Sequence, residues 1–89
     1  MMQRRKNKMI KITVFTKNNC NDCKRLNLML DNFPSDVATL DVTYFNVEEP
    51  ENAHFIQDYD LMAMPALRIE NDDIIHGFQE GKVMTRLGV

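Results

Sequence analysis

The chain has 89 residues, 44% hydrophobic and 27% charged, with a formal charge of −2. That length supports one domain with one modest core, and no apolar run approaches the roughly 20 residues needed to span a bilayer. Arg4, Arg5, Lys6 and Lys8 crowd four positive charges into residues 1–8, which leaves residues 9–89 at −6, a body too acidic for nucleic acid to be the expected partner.

The basic arm 1–8 reads as a solvated terminus ahead of a single domain, 9–89. No secretory h-region follows it, because Ile10 to Phe15 is short and Lys11 and Thr13 interrupt it. A cytoplasmic address and a monomer, with no membrane contact, are the resulting expectations.

Met9 to Phe15 is the first strand. Ile10, Ile12 and Val14 alternate with Lys11 and Thr13, so one face is strongly apolar. Thr16 to Asn19 is a polar turn. From about Asn21 to Asn32 the period changes: Leu26, Met29, Leu30 and Phe33 fall at helical spacing, and Pro34 ends the helix. A second strand lies within Ala38 to Val47, with Leu40, Val42, Tyr44 and Phe45 as apolar members. Glu48-Glu49-Pro50-Glu51 reads as a helix entry, with proline in the first turn and acidic residues at the positive end of the dipole. Ala53, Phe55, Ile56 and Tyr59 then make a short helix. Ala66 to Ile69 and Ile74 to His76 flank a polar turn and form a hairpin, and Gln79 to Leu87 is a last helix with Val83, Met84 and Leu87 as its stripe.

The order is β-α-β-α-β-β-α. Alternation implies a right-handed βαβ unit with parallel strands, and the hairpin adds an antiparallel pair. The expected fold is α/β, a four-stranded mixed sheet with helices on both faces.

Cys20 and Cys23 are the only cysteines, and Cys20-Asn21-Asp22-Cys23 stands between the first strand and the first helix. Disulfide exchange needs an attacking thiolate, a leaving thiolate and a thiol that resolves the mixed disulfide. Cys20, at the helix start, meets unpaired N–H groups and the positive end of the dipole, both of which favour its thiolate. Cys23, three residues on, is within disulfide reach and is expected to be the more buried. Zinc, an iron–sulfur cluster bridged between protomers, and inert core cysteines are the competing readings. For zinc the only other candidate ligands, His54 and His76, lie on separate elements. His54 otherwise reads as a surface residue, and the seven methionines as core filler.

The segment Thr13-Val14-Phe15-Thr16-Lys17-Asn18-Asn19-Cys20-Asn21-Asp22-Cys23 resembles the strand-to-active-site segment of glutaredoxins, and most of all that of NrdH-type redoxins. The resemblance implies the thioredoxin fold over roughly residues 9–88 and a catalytic pair, Cys20 as nucleophile and Cys23 as resolving thiol. It implies that Lys17 favours anionic sulfur or a carboxylate beside the site. It makes Pro65 cis, opposite the cysteines, with the backbone of Met64 pairing to an extended substrate. Gly77-Phe78 matches the Gly-Phe of NrdH-type proteins, where glycine permits a close approach, although Phe78 equally suits a core position. His76-Gly77-Phe78-Gln79 lacks the paired glycine of glutathione-binding glutaredoxins. No bound cofactor is implied, since the redox-active Cys20–Cys23 pair carries the electrons. Ribonucleotide reductase is the implied partner, and thioredoxin reductase or glutathione the reductant.

Two features depart from the family pattern. Asn18-Asn19 lacks the usual proline, and Asn21-Asp22 matches neither Pro-Tyr nor Gly-Pro. Asp22 places a negative charge beside Cys20, opposing the dipole and Lys17. A glutathione-dependent glutaredoxin and a non-catalytic binding module on the same scaffold remain the alternatives.

Overall fold

A computed structural model describes residues 8–88. Of the basic arm only Lys8 falls among them, and Arg4, Arg5 and Lys6 lie outside the described residues. The Lys8 carbonyl accepts the Thr39 N–H at 2.8 Å, at the foot of the sheet.

β1 (Met9–Thr16) is the organising strand. It runs parallel to β2 (Thr39–Asn46) in full register, from Met9↔Thr39 to Thr16↔Asn46. On its other side it pairs antiparallel with β3 (Ala66–Ile69), which in turn pairs antiparallel with β4 (Ile75–His76). The sheet order is β2-β1-β3-β4. α1 (Asn21–Asp31) makes the crossover between the parallel strands, α2 (His54–Asp58) precedes β3, and α3 (Glu80–Arg86) closes the described chain. This is the mixed four-stranded α/β sheet that the pattern implies.

The alternation in β1 sorts the core into two clusters. Ile10, Ile12 and Val14 point to the face shared by Leu67, Ile69 and Ile75, and there they meet Leu26 and Leu30 of α1, Val83 of α3 and Leu87 just beyond it. Phe15 points the other way, with Ala66, Val47 and Leu61, and Phe45, Phe55 and Met64 pack against that smaller cluster. Helices therefore stand on both faces, but unequally. α2 has five residues, about 7.5 Å of helix, against roughly 26 Å for an eight-residue strand. It covers the Phe15 end of the sheet, where Phe55 and Tyr59 both approach Phe15 at 5.4 Å between ring centroids. Lys11 on the same sheet face stays exposed.

Two expectations change here. The stretch entered at Pro50 is not one helix: Pro50–Asn52 is a 3-10 turn with proline in its first position, and α2 starts afresh at His54. So short a helix turns one residue, Phe55, to the core; Tyr59, its C-cap, lays its ring beside Phe15 while staying exposed, and Ile56 and Ala53 are exposed rather than packed. β4 is also shorter than expected: Ile74 lies outside it and packs on the smaller cluster.

Candidate functional site

The site begins where β1 leaves the sheet. Lys17, Asn18 and Asn19 form an exposed turn, and Asn19 adopts φ 55°, a left-handed conformation that asparagine tolerates better than most residues. Cys20 then returns to an extended conformation, φ −120° and ψ 105°, as the N-cap of α1. Its Sγ accepts the backbone N–H of Cys23 at 3.1 Å. A sulfur thus stands where serine or aspartate oxygen usually caps a helix, facing a free N–H and the positive end of the dipole.

Cys20 and Cys23 are joined as a disulfide, with Cα atoms 5.2 Å apart, inside the usual range for such a bridge. Cys20 is 7% exposed and Cys23 2%, so Cys20 is the less buried of the two.

The chain returns to this pair at Met64–Pro65. The Met64–Pro65 bond is cis, Pro65 is fully buried, and the Met64 carbonyl oxygen lies 3.9 Å from Cys20 Sγ. Behind Pro65, the Gly77 N–H donates to the Pro65 carbonyl at 2.7 Å, and the Gln79 side-chain amide donates to the His76 carbonyl at 2.7 Å. Gly77 has φ 77°, and a Cβ added there meets nothing within 4 Å. The glycine thus serves a left-handed backbone.

Phe78 is half-buried against the larger core cluster, and the Arg25 guanidinium stands 4.8 Å from its ring centroid. It therefore packs on the core and carries Arg25 on its ring. Arg25 also reaches the Asp22 carboxylate at 3.5 Å, with both side chains more than half exposed. Asp22 is thus not an isolated negative charge beside Cys20. The counter-charge is solvated and its effect weak.

The structure therefore links Cys20 to Cys23 and Met64, and Pro65 to Gly77. Lys17 sits in the turn before Cys20 and forms no ion pair among the described residues. His54 is exposed on α2 and paired with Asp58 at 2.8 Å, while His76 on β4 has Nδ1 3.4 Å from the Met62 backbone nitrogen. A groove of about 390 Å³ lies apart from the sulfurs, between the end of α1 and the free edge of β2, with Asp31 and Tyr44 in its wall. Burial, and then the Asp31 carboxylate, push the Tyr44 phenol above its ordinary 10.0.

Two residues of this region escaped the sequence reading. Arg25 follows Asp22 by three positions, a spacing that already signals a helical ion pair, but its place over Phe78 has no sequence signature. Asn46, at the end of β2, donates its side-chain amide to Asn18 Oδ1 at 2.8 Å, across 28 positions in the chain.

No protein-family model matches the chain, and no curated protein matches it. Solved structures do. The chain is similar to the thioredoxin-like protein BC3987, with 24% identity, a TM-score of 0.68, and 83% of this chain and 96% of that one covered. It is similar to Plasmodium falciparum thioredoxin at 15% identity and a TM-score of 0.69, covering 91% and 80%. Malassezia sympodialis thioredoxin aligns at 16% identity with a TM-score of 0.67, covering 91% and 74%. At such identities the likeness establishes the fold. The protein has a thioredoxin fold, and its Cys-x-x-Cys disulfide caps the first helix of that fold.

Proposed function

We propose that this chain is a small thiol–disulfide oxidoreductase that reduces disulfides in partner proteins. The observation that carries the reading is the place of Cys20: the N-cap of α1, its sulfur receiving the Cys23 N–H at 3.1 Å, in the less buried of the two cysteines. That setting stabilises a thiolate on Cys20.

In the reduced protein the Cys20 thiolate attacks one sulfur of the partner's disulfide. A Cys20–partner disulfide forms, and the partner's other sulfur leaves as a thiolate and takes up a proton. The Cys23 thiolate then attacks the Cys20 sulfur. The internal disulfide closes and the partner's second sulfur leaves, so two electrons and two protons reach the partner. The sulfurs hold the electrons, and the reaction calls for no bound cofactor.

Met64 and Pro65 supply the backbone edge for an extended substrate strand. Lys17, Gly77 and Phe78 complete the rim, with Asp22 and its partner Arg25 tuning the charge around it. NrdH-type chemistry is the finer reading, with ribonucleotide reductase as the disulfide partner, a thioredoxin-reductase-like flavoprotein as the reductant and a monomer in the cytoplasm as the working form. The absence of a paired glycine at His76-Gly77-Phe78-Gln79 favours this over glutathione.

An NADPH-coupled assay with a disulfide substrate tests the reading. Turnover is expected with thioredoxin reductase and not with glutathione plus glutathione reductase, and Cys20→Ser abolishes it. Turnover with glutathione alone sinks the NrdH-type assignment. Partner reduction that survives Cys20→Ser sinks the catalytic one and leaves a binding module.

A further inference from the structure

Beyond Thr16 the sheet no longer holds the strand that leads to Cys20. A backbone bond at this end of the parallel pair joins the Val47 N–H to the Thr16 carbonyl at 2.9 Å. The next cross-link is made by side chains, from Asn46 Nδ2 to Asn18 Oδ1 at 2.8 Å. The other end of the Asn46 amide is engaged as well, because its Oδ1 accepts the Glu48 N–H at 2.9 Å. That N–H requires an acceptor, so the amide nitrogen is the end turned to Asn18. The Asn46 carbonyl accepts the Glu49 N–H and the Asn52 side-chain amide, each at 3.1 Å. Asn46 is thus a post fixed in the β2 connection, and Asn18 is tied to it.

Asn18 stands two residues before Cys20, with left-handed Asn19 between them. The turn is exposed and contains no proline to hold it. Such a turn relaxes unless something fixes it. We propose that Asn46, acting through Asn18, is a positioning residue for the Cys20 nucleophile: it holds the turn so that Sγ stays over the Cys23 N–H. This rests on the reading of Cys20 as the attacking thiolate. Releasing the turn lets the sulfur leave that N–H, and the thiolate then loses a charge-assisted bond.

The test uses the reduced protein and iodoacetamide. Alkylation of Cys20, identified by peptide mass spectrometry, is followed across pH in wild type, Asn18→Ala, Asn46→Ala and the double variant. Asn46→Ala removes the donor to Asn18 and leaves no acceptor that a turned Asn18 amide could reach. Each single variant is expected to slow Cys20 alkylation at pH 7 by roughly three- to tenfold, the scale of one hydrogen bond, and to move its pH midpoint upward. Asn46→Ala also frees the Glu48 N–H, so the double variant is compared with it: the double variant is no slower than Asn46→Ala, because both substitutions break the same bond.

An unchanged pH midpoint in Asn18→Ala, whatever its thermal midpoint, overturns the proposal. So do single effects that multiply in full. Should Asn46→Ala fail to fold, Asn18→Ala on the exposed turn decides alone. Alkylation needs neither partner nor reductase. Shifted alkylation without partner reduction in the wild type therefore counts against the oxidoreductase reading only, and partner reduction with unshifted alkylation counts against the Asn46 role only.

Discussion

Gly77→Ala separates two reasons for a glycine. The residue has φ 77°, and an added Cβ meets nothing within 4 Å. A methyl group therefore costs nothing by collision, and its whole penalty is conformational. Holding an L-residue in the left-handed region costs about 1–2 kcal/mol. For a domain of this size each kcal/mol lowers the thermal midpoint by roughly 4–8 °C, so Gly77→Ala is expected to melt about 5–15 °C below wild type. Asparagine accepts the same backbone with less strain, and Gly77→Asn is expected to fall between the two despite its larger side chain. Thermal unfolding of the three oxidised proteins by circular dichroism at 222 nm gives the order directly. The consequence for the site runs through the Gly77 N–H, which holds the Pro65 carbonyl at 2.7 Å. An alanine that escapes to negative φ turns that N–H away from Pro65. A Gly77→Ala protein as stable as wild type refutes the reasoning, and so does an asparagine variant less stable than the alanine one.

The remaining expectations concern the core, the cap and the groove. Leu26 is fully buried between α1 and the sheet, so Leu26→Ala is expected to cost about 3 kcal/mol in a urea titration of the oxidised protein, and a loss under about 1 kcal/mol refutes its central place. Cys20 caps α1 through its sulfur, and serine caps as well. Cys20→Ser is thus expected to be more stable than Cys20→Ala by about 1 kcal/mol in urea, and equal stability of the two removes the cap from the account. For Asp22 and Arg25, whose exposed pair spans 3.5 Å, Asp22→Asn is expected to speed Cys20 alkylation by a factor that shrinks at about 1 M salt, whereas a salt-independent factor rules out a charge effect. Burial first and Asp31 second raise Tyr44. In a Tyr59→Phe background its ultraviolet titration is expected to have a midpoint above 10.0, and Asp31→Asn lowers that midpoint only in part. The protonated phenol is the form the fold prefers, so this contribution to stability is present below the ordinary value and is lost as pH rises through the folded one. A midpoint at or below the ordinary value contradicts this.

Much of the fold was legible because it depends on period. Ile10, Ile12 and Val14 alternate, Leu26 and Leu30 recur at helical spacing, and both patterns describe how one element presents one face to a core. The unequal cover of the sheet was not legible. It follows from the length of α2, and Pro50 cut that length by setting a separate 3-10 turn before it. Ile56 was misread for the same reason: helical spacing marks an inward face only where the helix is long enough to present more than one turn to the core.

The site divides in the same way. The sequence alone determined that two thiols follow a strand and open a helix, because a strand pattern, a turn and a helical pattern adjoin along residues 9–33 and need no distant partner to be recognised. It also marked Met64-Pro65 and Gly77-Phe78, through a family resemblance. Only the tertiary structure decided what meets what. Arg25 lies over Phe78, Gly77 hands its N–H to Pro65, and Asn46 reaches Asn18 across the end of the parallel pair. Such contacts join side chains from different elements, and they depend on strand register and turn geometry together. No local pattern of residues encodes that combination, so the cysteines could be found by reading along the chain, while the groups that hold Cys20 in place required the folded molecule.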